Sequence, residues 1–311
     1  MCLMIDDFGK QVLKGVSRSF YLTLRLLPKP MRGAASLGYL LARASDTLAD
    51  TVAVPLESRQ HGLEQFRRSI AGESEFTAWS VEILNAVSDP SEYRLLVSSR
   101  VILECLRKLP EEEAFLVREV VEIIISGQSL DLERFAFASK QAPVALRDDA
   151  ELEDYAWRVA GCVGAFWTKL GFLTLGENFS RASEAEMLEH GIVYGNGLQL
   201  VNILRDIAAD LAAGRCYLPV ANPRDSDALI TCHGRWLTLA QGWVSEGERY
   251  AERLSSRRLR ASTVLPALLA KKTLSALHEK SWEDLQTRIK IPRSVVYGSL
   301  IQAFIISPVN S

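Results

Sequence analysis

The sequence predicts an all-α protein built as a helical bundle, and three observations carry that prediction. Apolar residues recur at helical spacing along nearly the whole chain, while alternating strand patterns are scarce and no Asn-Gly or Asp-Gly turn joins such runs. Most of the eleven prolines fall between the periodic segments, where a residue that cannot continue a helix marks its ends. Several segments, among them 120–125 and 198–207, are apolar nearly all round, which places them inside a packing of other helices.

Taken in order, these signals give helices over 8–19, 33–50, 57–71, 76–86, 92–109, 112–138, 149–175, 183–211, 236–254, 260–279 and 294–305. Pro28 and Pro30 separate the first two, and Pro55 stands before the third. Pro90 precedes 92–109, Pro110 divides it from 112–138, and Pro143 leads into 149–175. Pro219 and Pro223 separate 183–211 from 236–254, and Pro292 opens the last helix. The remaining breaks are read from loss of periodicity. No repeat, composition shift or Gly/Ser-rich linker divides the chain, so residues 1–311 read as one all-α domain.

The 311 residues hold 48% hydrophobic and 24% charged side chains, the balance of a soluble globular chain. Lys plus Arg number 36 against 38 for Asp plus Glu, a net charge of −2, which lacks the basic excess a nucleic-acid partner demands. Five scattered cysteines without a Cys-x-x-Cys, and four distant histidines, exclude a disulfide framework, a zinc ribbon and a histidine metal site. Asp6 and Asp7 with no apolar core argue against a signal peptide, and 294–309 falls short of the roughly 20 residues of a spanning helix. The expectation is a cytoplasmic protein, at most peripheral at a membrane.

Two acidic stripes on apolar helices point to chemistry. At about 100° per residue, Gln199, Asn202, Asp206 and Asp210 share one side of their helix, with Arg205 at the edge. The rest of that helix is Leu198, Leu200, Val201, Ile203, Leu204, Ile207 and Ala208. Tyr39, Arg43, Asp46 and Asp50 form a similar stripe on a helix otherwise covered by Leu40, Leu41, Ala44 and Leu48. Carboxylates one turn apart repel, and burying such a pair uncompensated is costly, so something positive must face them. Oxygen donors in this pattern suit Mg²⁺, which takes one or two carboxylates together with substrate phosphates and water. Two such helices facing each other would surround a metal-bridged diphosphate, with Arg43, Arg205 and Arg215 available for its outer oxygens.

These residues resemble those of the squalene/phytoene synthase family, the head-to-head trans-isoprenyl diphosphate synthases. Four stretches carry the likeness in the family's order: Ser17-Arg-Ser-Phe20, Arg43-Ala-Ser-Asp-Thr-Leu-Ala-Asp50, Asp154-Tyr-Ala-Trp-Arg-Val-Ala-Gly-Cys-Val-Gly164, and Gln199-Leu-Val-Asn-Ile-Leu-Arg-Asp-Ile-Ala-Ala-Asp210 with Gly214-Arg-Cys-Tyr-Leu-Pro219. They cover roughly residues 10–220. The resemblance implies a class I isoprenoid (terpenoid) synthase bundle with a central cavity, and a Mg²⁺-dependent 1′–1 condensation of two prenyl diphosphates. By the same carry-over Asp46, Asp50, Asn202, Asp206 and Asp210 hold metal. Ser17, Arg18, Ser19, Arg43, Gln199, Arg205, Arg215 and Tyr217 bind diphosphate, and Tyr155 serves catalysis. Phe20, Tyr21, Tyr39, Val159, Gly161 and Gly164 line the pocket, with Trp157 and Phe166 as further wall candidates. For the aromatic residues core packing is an equal account, and for the two glycines close approach of a neighbouring helix is.

The chain departs from the family pattern at two places. Ser45 precedes Asp46 and Thr51 follows Asp50, where many members carry a second aspartate. Arg158 stands where squalene synthases carry a tyrosine before Val-Ala-Gly, which leaves proton transfer to Tyr155, to diphosphate or to no side chain; Arg158 itself could pair with diphosphate. The Asp-Thr-Leu-x-Asp pattern after Arg43 resembles the squalene branch, implying farnesyl diphosphate as substrate, squalene as product and NADPH as reductant. A phytoene, dehydrosqualene or presqualene diphosphate synthase is the alternative, and a non-catalytic scaffold of the same fold a remoter one. The segment from Ile289 through Ile306 resembles a closing helix, and so apolar a product suggests an exit beside a membrane.

Overall fold

The computed structural model describes residues 7–17, 20–278, 280–287 and 292–305. They are all-α apart from one pair of two-residue strands and two isolated bridges. The chain groups into two compact units, Met1–Glu133 with Lys169–Gly176, and Arg134–Thr168 with Glu177–Ser311.

In the first unit α1 (Asp7–Ser17), α2 (Phe20–Leu26) and α3 (Lys29–Asp50) are followed by α4 (Leu56–Ala71), α5 (Val81–Ala86), α6 (Pro90–Val97), α7 (Ser99–Leu106) and α8 (Glu111–Arg134). Prolines stand where the sequence predicts boundaries: Pro30 lies in the first turn of α3, and Pro55 precedes α4. The apolar side of α3 (Met31, Leu37, Leu40, Leu41, Leu48) is buried, as are Leu63 and Phe66 of α4. Phe66, Phe76 and Trp79 form an aromatic trio with centroids 4.8–5.4 Å apart, and the Trp79 indole donates to Ser99 Oγ at 2.9 Å. Residues 76–80, predicted as helix, instead supply this plug. The helix begins at Val81, where Ser80 caps it by accepting from the Ile83 amide.

The second unit contains β1 (Val144–Ala145), α9 (Asp149–Ala156), a π-turn (Trp157–Gly161), the start of α10 (Cys162–Leu175), α11 (Glu184–Ala212), β2 (Arg215–Cys216), α12 (Ser226–Arg253), α13 (Arg257–Leu277), α14 (Trp282–Leu285) and α15 (Arg293–Ile305). Its core lies where α11, α12 and α13 pack, around Leu200, Leu204, Trp236, Ala240, Val244 and Leu274. The π-turn and the start of α10 meet α11 along a glycine seam. A Cβ on Gly164 would stand 1.9 Å from the Gly191 carbonyl oxygen, and one on Gly195 would stand 2.4 Å from that of Ala160. Only residues without side chains allow that approach.

The structure corrects several element boundaries. Helix α2 lies in a stretch the sequence left unassigned. The predicted 92–109 is divided at Ser98, 112–138 stops at Arg134, and 149–175 carries the π-turn in its middle. Helix α12 starts ten residues before the predicted 236, because Asp225 caps it by accepting from the amides of Asp227 and Ala228. Strands β1 and β2 pair in parallel, which fixes Arg215 directly after α11. One stretch of the described residues, Asp149–Asn178, is long and apolar enough to cross a membrane by length and composition. Inside this chain, however, Ala156, Cys162, Phe166, Thr168 and Leu170 of that stretch are buried. Cys162, Cys216 and Cys232 are buried thiols; Cys105 is disulfide-bonded, a bond that the odd, scattered cysteine set does not announce.

Candidate active site

In the first unit α3 delivers the stripe as its phase requires. Leu40, Leu41, Ala44 and Leu48 are fully buried, and the polar side carries Tyr39, Arg43, Asp46 and Asp50. Both carboxylates keep an accessible surface: Asp50 is exposed, and the Asp46 side chain keeps 40% exposure. The Arg43 guanidinium is bracketed by Asp46 and by Glu92 of α6. Its Nε is buried without a hydrogen-bond partner among the described residues. Burial opposes the Arg43 charge, and the carboxylates of Asp46 and Glu92 outweigh it, raising its pKa. Glu92, 49 residues away in sequence, leaves no local signal that pairs it with Arg43.

Desolvation first, and the Asp50 charge second, push the Asp46 carboxyl from 3.8 up to about 6, against the pull of Arg43. The folded protein therefore holds a proton there that the unfolded chain has released. Between about pH 4 and pH 6 this group makes stability fall as pH rises. Asp46→Asn should remove that contribution. The difference between wild-type and variant melting curves in metal-free buffer, followed across this window, measures it; an unchanged difference would contradict the shift.

Ser17, carried over as a diphosphate ligand, is buried, and its hydroxyl donates to the Leu13 carbonyl of its own helix. Arg18 and Ser19 lie outside the described residues, as does the side chain of Phe20. Tyr21 is half-buried beneath the Arg25 guanidinium, 5.8 Å from its ring centroid. Tyr39 is half-buried and donates to the Val16 carbonyl at 3.0 Å.

In the second unit α11 shows the predicted inversion of a surface helix. Leu200, Val201, Ile203, Leu204 and Ile207 are buried, while Asn202 is exposed and Asp206 and Asp210 are half-buried. Each acid meets an arginine. Arg205 donates to both Asp206 oxygens, and Arg215 on β2 lies 3.4 Å from Asp210. The Asn202 amide donates to Gln199 Oε1 at 3.4 Å. Beside this stripe the rings of Tyr155 and Tyr217 stack at 4.8 Å with their hydroxyls 3.5 Å apart, and Phe135 meets Tyr217 edge-on at 5.4 Å. Phe135, just past the end of α8, was not singled out by the sequence. Arg158 is occupied by Asp154, one turn back, at 2.9–3.0 Å. Val159 is half-buried in the π-turn, a helical irregularity frequent at functional sites. Gly161 and Gly164, carried over as pocket wall, approach α11 closely: a Cβ on Gly161 would meet Asn196 Oδ1 at 2.2 Å. Phe166 is buried and Trp157 is 37% exposed.

Among the described residues no three His, Cys, Asp or Glu side chains converge. Each stripe offers a pair of hard oxygen donors in contact with water, with the Asn202 amide oxygen beside the second pair. That donor set fits Mg²⁺, whose remaining positions are taken by water and phosphate oxygen.

The fold is the all-α terpenoid synthase fold. TcSQS, solved with the ligand E5700, superposes with a TM-score of 0.78 at 21% identity, over 97% of this chain and 89% of that one. A sequence model described as squalene/phytoene synthase matches residues 13–295, and the chain belongs to that family. The presqualene diphosphate synthase of Zymomonas mobilis is 27% identical across 96% of this chain and 92% of its own length. The bifunctional lycopene cyclase/phytoene synthase of Phaeosphaeria nodorum is 31% identical over 67% of this chain. The chain spans only 33%, 42% and 58% of the length of three of the curated relatives it matches.

Proposed function

We propose that this chain is a prenyltransferase that condenses two farnesyl diphosphates head to head, by 1′–1 coupling through presqualene diphosphate, and reduces the product to squalene with NADPH. The observation that carries the reading is the α11 stripe, in which Asp206 and Asp210 are each held by an arginine at a water-accessible edge of an otherwise buried helix. Asp46, Asp50, Asn202, Asp206 and Asp210 would hold Mg²⁺, which when bound supplies positive charge to the departing diphosphate. Without ligand, Arg43, Arg205 and Arg215 screen Asp46, Asp206 and Asp210. With substrate present the same guanidiniums can turn their N–H groups to phosphate oxygens, since Arg forks match phosphate as well as carboxylate. The stacked faces of Tyr155 and Tyr217 offer π density to an allylic cation, and their adjoining hydroxyls provide a site where a proton can be held. The matched family model runs through both compact units, which supports reading them as one catalytic domain. In the cell we place the protein in the cytoplasm, with peripheral contact to a membrane.

A second reading, in which the reaction stops at presqualene diphosphate, is favoured by Arg158. It stands at the expected tyrosine and is held by Asp154, and one relative aligned along nearly the whole chain is a presqualene diphosphate synthase. Purified protein incubated with farnesyl diphosphate and Mg²⁺, with and without NADPH, separates the two. Squalene that requires NADPH supports the main reading, and presqualene diphosphate accumulating under both conditions supports the second. Phytoene from geranylgeranyl diphosphate, or no turnover of either substrate, would overturn both.

A further inference from the structure

Helices α6 and α7 run in phase as one kinked rod. The Ser98 amide donates to the Arg94 carbonyl and the Ile102 amide to the Ser98 carbonyl, so the ladder continues through the break. Their inner side, Leu95, Leu96, Ile102, Leu103 and Leu106, is buried. On the outer side Tyr93, Val97 and Val101 follow one another at steps of four, 45%, 56% and 43% exposed. Around this row stand Arg94, Arg107 and Lys108, all exposed and without a carboxylate partner among the described residues, and Arg100, paired with Glu104 at 3.4 Å. Residues 93–108 thus hold four cations to one carboxylate in a chain whose net charge is −2.

We propose that this outer side of α6 and α7 is a docking surface for an anionic lipid bilayer. A basic amphipathic helix with apolar side chains between its cations is the form that lies flat in the headgroup region. Valines reach the acyl boundary, tyrosine sits at the interface, and the cations gain from the negative surface potential. Three half-exposed apolar groups fall far short of the roughly 20–30 residues a side of a stable protein interface. The surface does not depend on the reaction assigned above, and its test reads binding rather than turnover.

The full-length protein is floated with vesicles of phosphatidylcholine, or of phosphatidylcholine and phosphatidylglycerol at about 2:1, at low and high salt. Wild type should float only with the anionic vesicles and be released by salt. Arg94→Gln with Lys108→Gln should lower the partition about tenfold or more. Val97→Ser with Val101→Ser, which leaves the charges in place, should lower it several-fold. Both pairs lie off the acidic stripes and should keep the wild-type melting temperature and turnover of detergent-dispersed substrate. Equal binding to neutral vesicles, no binding to either, or variants that float like wild type would overturn the proposal. So would a self-associated wild type that the same substitutions render monomeric.

Discussion

Asp206→Asn should lower turnover of farnesyl diphosphate on the order of 10²–10³-fold, the loss expected when one preorganised charge contact to a developing anion is removed. Asn keeps the size of the side chain and removes the charge that engages Arg205 at both oxygens and that the proposed function assigns to a divalent cation. Stability should barely change. The pair is partly open to water, its side chains 32% and 31% exposed, and such a pair contributes about 0–1 kcal/mol. Asp50→Asn should behave alike, since it relieves the repulsion that raises Asp46. Product formation measured beside metal-free melting curves checks both; turnover within about twofold of wild type in either would remove that residue from the metal-binding set.

Gly164→Ala should cost the largest amount of stability of any methyl added to the described glycines. The new Cβ would stand 1.9 Å from the Gly191 carbonyl oxygen, a backbone atom that moves only with its helix. Overpacking of this kind costs about 1–3 kcal/mol, against a gain of about 0.5–1 kcal/mol for replacing glycine within a helix. The shift would reach α11, which bears Asn202, Asp206 and Asp210, so activity should fall as well. Gly242→Ala, on α12 with nothing within 4 Å of its added methyl, is the control and should be neutral or stabilising. A denaturant midpoint for Gly164→Ala equal to that of the control would rule out the close contact.

The parts of the fold legible in the sequence are those governed by local rules. The phase of α3 and of α11 is written in their leucines, which places both stripes, and the prolines set several boundaries. What escaped depends on partners distant in sequence or on the choice between two local options. Glu92 closes on Arg43 across 49 residues, and no spacing rule links them. Phe76 and Trp79 carry a helical pattern, yet they stack on Phe66 instead. Asp225 is a normal helix cap, but the polar run around it reads as loop.

The π-turn at Trp157–Gly161 is the place where this segment can lose a residue. A wider coil accommodates one more residue than a regular turn, so deleting a single position there would let the ladder close as ordinary α-helix while the backbone on either side keeps its phase. The regular turn that begins at Cys162 has no such slack. Deleting Cys162 or Val163 would rotate the backbone beyond by about 100° relative to Tyr155 and carry Gly164 away from Gly191. Such a chain would remain helical to every spectroscopic probe and yet lose the alignment between aromatic stack and glycine seam.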